Sequence, residues 1–307
     1  MLGRLSRPCL DADGPHPHAI YLSEATSTLD ASTLISMRDL AGILIVRRLS
    51  CIARHRRYMD VSEMIRALVK AATLFKPREF GVSREACALC GFRAQVRLCQ
   101  SEIAVRCLRC GASAVTQSLV DVLVRECAQL SALDVYELSA EGALVRWLQS
   151  HVVRLTTSEY LTDIPGGSER AGITCQDVQR LTYEDQSFDL CTSTEVFEHV
   201  EDDMRGFHEI FRVLRPGGLH VFTVPLNLGG VTVERTELVA GRRVKRLPAE
   251  YHADRYRGRS VFCYRNYGVD LIDRLAAAGF VDVEFRRPQP TLFGFARPVV
   301  VARKPGQ

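Results

Sequence analysis

The stretch from Asp177 to Leu226 constrains this chain more than any other. Two apolar runs, Phe188–Ser193 and Leu219–Val224, have the length of strands, and between them Met204, Phe207, Ile210, Phe211 and Leu214 recur at helical spacing. Arg215, Pro216, Gly217 and Gly218 then close the unit. Proline cannot continue a helix, and the two glycines can take the positive φ of a tight turn. A strand, a crossover helix and a second apolar strand make a right-handed βαβ unit of a parallel sheet.

The motifs in this stretch follow one another in a fixed order: Asp177, the turn Leu181–Tyr183, Ser187–Leu190, Glu195–Val200 and Arg212–Gly218. Together they resemble the class I S-adenosylmethionine-dependent methyltransferases. The resemblance implies an α/β fold, a seven-stranded doubly wound (Rossmann-like) methyltransferase sheet, with S-adenosyl-L-methionine as cofactor.

A chain of 307 residues can hold one large α/β domain and a smaller module. Three regions are expected: 1–80, partly helical; 81–112, a zinc ribbon; and 113–307, the methyltransferase domain. In the first, Val61–Leu74 reads as an amphipathic helix, and the cluster Arg47, Arg48, Arg54, His55, Arg56 and Arg57 reads as a solvated face. A net charge of +4 does not by itself argue for nucleic acid. The longest apolar run near the N-terminus, Ala41–Val46, is far short of a membrane span, and no signal peptide is visible, so the expected location is cytoplasmic.

Eleven cysteines in a chain expected to be cytosolic suggest metal ligation and buried thiols rather than disulfides. Cys87 and Cys90 are followed by Gly91, and Cys107 and Cys110 by Gly111, with sixteen residues between the pairs. This is the two-knuckle spacing of a structural Zn2+ site, in which four thiolates leave no open position for a catalytic water. Cys99, between the knuckles, reads as a free thiol.

The expected strands of the large domain are Leu133–Leu138, His151–Thr157, a short third ending near Gln176, the two of the βαβ unit, Val281–Arg286 and Val299–Arg303. A helix is expected over Val115–Leu130 and another over Val269–Ala278, with a hairpin of Val231–Val239 and Arg242–Leu247 around Ala240 and Gly241. In doubly wound sheets, ligands bind beyond the carboxyl ends of the strands. The resemblance therefore places the methionine end of the cofactor at Glu137, Ser139 and Gly142. In that loop Ser139 and Glu141 stand where glycines are expected. It places Glu159 on the ribose hydroxyls, Asp177 and Val178 at the adenine, and Ser193, Thr194 and Glu195 along the methionine side.

Methyl transfer from a sulfonium is an in-line displacement, and an oxygen or nitrogen acceptor can need a general base. Glu195, Glu198 and His199 fall at i, i+3 and i+4, which on a helix is one face; His199 is the candidate base. In related quinone O-methyltransferases a similar set holds a divalent ion, so a Mg2+-type site is a secondary expectation. The later residues Glu250, Tyr251, His252, Asp254, Arg265 and Tyr267 are candidates for acceptor selection. The resulting expectation is a methyltransferase acting on an O or N acceptor of a small molecule or saccharide. An RNA- or protein-directed enzyme and a non-catalytic scaffold are the alternatives.

Overall fold

The computed structural model describes residues 74–253, 260–289 and 291–306. The expected helix at Val61–Leu74, all but its last residue, the arginine cluster at 47–57 and Asp254 lie outside the described residues.

The described chain opens with three short antiparallel strands, β1 (Gly81–Ser83), β2 (Gln95–Arg97) and β3 (Val105–Cys107), in the order β1-β2-β3. Helix α1 (Ala114–Glu126) follows, started by Ser113, whose hydroxyl accepts from the Thr116 amide. Then come β4 (Asp134–Glu137), α2 (Ala143–His151), β5 (Arg154–Thr157), the two-residue strands β6 (Glu169–Arg170) and β7 (Ile173–Thr174), β8 (Phe188–Thr194), α3 (Asp203–Val213) and β9 (Leu214–Thr223). After β9 lie the short strands β10 (Leu226–Asn227), β11 (Val233–Glu234), β12 (Thr236–Val239), β13 (Arg242–Lys245), β14 (Tyr251–Ala253), β15 (Ser260–Phe262) and β16 (Arg265–Gly268). Helix α4 (Leu271–Ala277) and strands β17 (Val281–Arg286) and β18 (Val299–Arg303) complete the domain.

The main sheet has six strands in the order β17-β18-β9-β8-β4-β5. Neighbours among β5, β4, β8 and β9 pair in parallel, while β18 is antiparallel to both β9 and β17. Period-2 alternation sends side chains to two helical layers. Val135, Leu190, Val221 and Val301 pack with Leu119, Leu123, Trp147 and Leu148 of α1 and α2. Their neighbours Tyr136, Cys191, Phe222 and Val300 pack with Phe207, Ile210, Leu271 and Leu275 of α3 and α4. The amino edge of the sheet is closed by charge: Arg215 reaches Asp134 at 2.7 Å and Asp189 at 2.8 Å.

Among the described residues, six strands stand in place of the expected seven. The third is reduced to one parallel bridge, Glu159 to Cys175, at the β5 edge. Ala171 and Gly172 both take positive φ and turn the chain back, so β7 pairs with β6 instead. Cys175 then donates its amide to Ser168 O and accepts from the Gly167 amide, which leaves too little free backbone for a ladder. The expected hairpin is also shorter. Ala240 and Gly241 have φ of 48° and 74° and form its turn, but Val233 and Glu234 pair with β16 instead. At the close of the βαβ unit Gly217 takes φ of 79°, as expected, whereas Gly218 is required for space. A Cβ there would lie 2.9 Å from Arg215 O and 3.0 Å from Asp189 O.

Candidate active site and metal centre

The cysteine knuckles repeat each other. In the first, the Gly91 amide donates to Cys87 O (2.8 Å) and the Cys87 amide to Phe92 O (3.1 Å). In the second, Gly111 donates to Cys107 O (2.9 Å) and Cys107 to Ala112 O (3.0 Å). Gly91 and Gly111 have φ of 67° and 75°, the left-handed turn that a Cβ would strain. These turns bring all four sulfurs within 4.8 Å of one another, with Cys87–Cys110 and Cys90–Cys107 contacts of 3.6 Å. Thiolates about 2.3 Å from a tetrahedral zinc stand roughly 3.8 Å apart, so the donor set fits that ion. Donation from Cys87 pulls the Cys110 thiol down, while the same contact and burial push Cys87 up. Cys99 is a buried thiol outside the cluster. The module is joined to the large domain by polar contacts: Gln95 and Gln117 bond reciprocally, and Arg146 donates to Cys110 O at 2.9 Å.

At the carboxyl edge of the main sheet, Glu137 ends β4 fully buried. Burial pushes its carboxyl up to about 8, against hydrogen bonds from Thr192 and Ser139 that favour the ionised form. Ser139 contributes both hydroxyl and backbone amide, so the serine in the glycine-poor loop turns the chain back onto Glu137. Gly142, with φ of 126°, starts α2, and no atom lies within 4 Å of where its Cβ would be. Glu141 is exposed. Past β5, Glu159 is half-buried at the bridge to Cys175. Asp177 caps its own turn: its Oδ1 accepts from the Gln179 amide at 2.9 Å and from Gln179 Nε2 at 3.1 Å. Val178 beside it is buried. Ser193 and Thr194 end β8 with hydroxyls that are buried and without a hydrogen-bond partner among the described residues. The expected cofactor residues thus lie at or just beyond the carboxyl ends of β4, β5 and β8, or just past the third-strand bridge.

The expected common helix face for Glu195, Glu198 and His199 does not form. Glu195 has φ of 54°, and Phe197–His199 is a single 3-10 turn; α3 starts only at Asp203, after Asp202 accepts from the Arg205 amide. A left-handed residue just before the turn breaks the helical spacing and lets Glu195 pair with Arg297. Its Oε2 meets Arg297 Nη2 at 3.3 Å, and the same nitrogen reaches Glu102 of the cysteine module at 2.5 Å. Glu198 is fully buried, and burial together with the nearby Glu195 raises its carboxyl well above the usual range. His199 donates Nδ1–H to Phe262 O at 2.9 Å, because a carbonyl can only accept, and Nε2 faces Glu198 Oε1 at 3.7 Å. Among the described residues, Glu195, Glu198 and His199 are not grouped as a set of metal ligands.

Two candidates for acceptor selection are buried braces. Arg265 donates to Val200 O (2.5 Å) and Glu201 O (2.9 Å), and the Tyr267 hydroxyl donates to Asp203 (2.9 Å). Tyr251 and His252 remain on the surface hairpin β14–β15. A cavity of about 300 Å³ nearby is walled by charges already paired, among them Arg243 with Glu201 and Arg265 with Glu234. The sequence reading missed Arg297 and Cys263, each an isolated residue in sequence whose partner lies far away in the chain.

Residues 110–222 match the family model of a methyltransferase domain. A stretch of 78 residues is 40% identical to an uncharacterized methyltransferase of Mycolicibacterium vanbaalenii, covering 24% of this chain and 31% of that protein. A stretch of 159 residues is 30% identical to a demethylmenaquinone methyltransferase of Clavibacter sepedonicus, covering 48% and 61%. The chain thus spans 31% to 61% of these relatives' length. Among solved structures, an S-adenosylmethionine-dependent methyltransferase from Mesorhizobium loti is similar at 21% identity and TM-score 0.41, over 61% of this chain and 98% of that one. The ordered motifs and the strand order agree with this match: residues 110–222 carry a methyltransferase domain.

Proposed function

We propose that this protein transfers a methyl group from S-adenosyl-L-methionine to an oxygen or nitrogen of a small molecule or saccharide. The observation that carries the reading is the pair of buried, unpartnered hydroxyls at Ser193 and Thr194, beside the buried Glu137 at the carboxyl edge of the sheet. Buried polar atoms without partners are costly, and a polar ligand at this edge would satisfy them. Glu137, Ser139 and Gly142 would hold the methionine end, with Ser193 and Glu195 opposite. Glu159 would accept from the ribose hydroxyls, and Asp177 and Val178 would flank the adenine. The cofactor supplies an electrophilic methyl group; the chain's own work is to align the acceptor and exclude water. With Nδ1 donating to Phe262 O, His199 Nε2 carries the ring's lone pair and would serve the acceptor as a base or a ligand. The relatives named as demethylmenaquinone methyltransferases support a small-molecule acceptor.

Calorimetric titration with S-adenosylhomocysteine tests the reading: saturable binding is expected, weakened at least tenfold in Glu159→Ala. No binding at millimolar ligand overturns it. We also propose that Cys87, Cys90, Cys107 and Cys110 hold a structural zinc. Three three-residue strands over a core of little more than Cys87, Cys107 and Ala112 need such a staple. Cys87→Ser is expected to lower the zinc content by one ion; unchanged stoichiometry contradicts the assignment.

A further inference from the structure

Four side chains from three separate places in the chain converge beside the turn that follows β8. Glu198 and His199 lie on that turn, His252 on β14, and Cys263 immediately after β15. Donor atoms of His199, His252 and Cys263 all lie within 4.8 Å of one another. Glu198 Oε1 stands 3.7 Å from His199 Nε2 and 3.8 Å from His252 Nδ1, too far for hydrogen bonds to either. Glu198 is 1% exposed, and neither carboxylate oxygen has a hydrogen-bond partner among the described residues. A buried carboxylate between two imidazoles, bonded to neither, lacks the group that would satisfy it.

We propose that Glu198, His199, His252 and Cys263 form a second metal site, for a zinc-type divalent cation. The outer nitrogens of the imidazoles are already occupied: His199 Nδ1 donates to Phe262 O at 2.9 Å, and His252 Nε2 lies 3.3 Å from Glu250 Oε1. Metal-ligating imidazoles are typically oriented by such a partner on the far nitrogen. The near nitrogens, His199 Nε2 and His252 Nδ1, are the two that face Glu198. Donors about 2.0–2.3 Å from a tetrahedral ion stand roughly 3.3–3.8 Å apart, so 3.7 and 3.8 Å fit directly. Cys263 Sγ lies within 4.8 Å of a nitrogen on each imidazole, 3.8 Å from His199 Nδ1, and has to shift toward the Nε2 side on loading. Two imidazoles, a thiolate and one carboxylate select zinc, or cobalt in its place, over magnesium, which prefers an all-oxygen shell. The thiolate and carboxylate balance the ion's double charge, so the loaded site buries no net charge.

The site fastens one part of the fold to another. The β14–β15 hairpin is stitched to the turn by one backbone bond, Tyr264 amide to Glu198 O at 2.8 Å, and the Cys263 amide donates to Glu250 O at 2.9 Å. An ion held by His252 and Cys263 on one side and Glu198 and His199 on the other locks the hairpin beside the carboxyl edge of the sheet. It also commits the His199 lone pair, so a loaded site leaves this histidine unable to take a proton from the acceptor.

The test uses the full chain, stripped with chelating resin, supplied with Zn2+ and freed of excess. Elemental analysis is expected to give one ion fewer per chain in His252→Ala, and in Cys263→Ser, than in the unaltered protein. This difference does not depend on the four-cysteine cluster or on cofactor binding, which the titration with S-adenosylhomocysteine reads separately. With Co2+, the unaltered protein is expected to show visible bands of a mixed nitrogen–sulfur tetrahedral site that are absent from His252→Ala. His252 is only half-buried, so its variant keeps the fold, which circular dichroism checks. Equal metal content in the unaltered protein and His252→Ala overturns the proposal. A loss confined to Cys263→Ser also overturns it, because the buried cysteine would then act only through packing.

Discussion

His220 makes the acid stability of this protein calculable. It lies on β9 in the middle of the main sheet, fully buried, stacked on Phe222 with ring centroids 4.2 Å apart and flanked by Phe197 and Phe280. Neither ring nitrogen has a hydrogen-bond partner among the described residues. Burial without a partner penalises the imidazolium and lowers the group from 6.5 to about 3. Between those values the unfolded chain holds a proton that the folded chain does not, so stability falls as pH drops through this window. At 1.36 kcal/mol per unit, the loss from this one group is about 2 kcal/mol at pH 5 and about 4 kcal/mol at pH 3. His220→Leu keeps an apolar side chain of similar bulk and removes the titration. Urea denaturation of both proteins at pH 7, 5 and 3 isolates the effect. Carboxylates held low by ion pairs, such as Asp134 and Glu209, and the cysteine thiols contribute equally to both curves. Relative to pH 7, the variant is expected to gain on the unaltered protein by those amounts. Parallel pH dependences would refute the reasoning, because they would mean that the folded chain protonates His220 freely.

Three further outcomes follow from named contacts. Glu137 is raised from 4.5 to about 8, so its folded form holds a proton that the unfolded chain releases. Stability from this group is therefore full below pH 4.5 and lost as pH rises to 8, by about 5 kcal/mol in all; Glu137→Gln is expected to abolish that slope in denaturation at pH 5, 7 and 9. Arg265→Met removes the donors to Val200 O and Glu201 O and strips a cation from the buried Asp203. It is expected to cost about 3–5 kcal/mol by chemical denaturation, and a loss under 1 kcal/mol would show the brace to be dispensable. In Gly268→Ala the new Cβ meets the backbone of Gly230 and Val231, which cannot yield as a flexible side chain would. A destabilisation of about 1–3 kcal/mol is expected in thermal melts, and an unchanged melting temperature would contradict it.

Where local pattern and tertiary packing agree, the sequence was legible. Strands Val281–Arg286 and Val299–Arg303 match their expected bounds, because each is a run of strand-favouring residues with turn residues at its ends. The cysteine cluster was equally readable, since a knuckle is local: two cysteines and a glycine determine where the sulfurs point. The third strand was not. Ile173–Cys175 has strand composition, but Ala171 and Gly172 take positive φ and commit the backbone to a hairpin, and alanine gives no warning of that conformation. The turn after β8 failed for the same reason. Helical spacing put Glu195, Glu198 and His199 on one face, whereas the left-handed φ of Glu195 interrupts the helix that this spacing assumes.

The contacts that matter most to the candidate site are those no local pattern could show. Arg297 sits in an unremarkable loop before β18, yet one guanidinium nitrogen reaches both Glu102 beside the cysteine knuckles and Glu195 at the end of β8. Burial alone would raise Glu195, and the Arg297 charge opposes that rise. Moving the cysteine module would therefore alter the electrostatics of Glu195, the residue proposed for the methionine side of the cofactor. The module and the sheet are coupled in one further way: Gln95 of β2 and Gln117 of α1 form a buried amide pair, and α1 packs directly on Leu190 and Val221 of the sheet. A small domain joined to a larger one by buried, directional bonds does not swing freely, since each bond broken without replacement leaves a desolvated polar group. The cysteine module is thus part of the scaffold around Glu195, and removing the proposed zinc should disturb Glu195 before it disturbs the strands of the sheet.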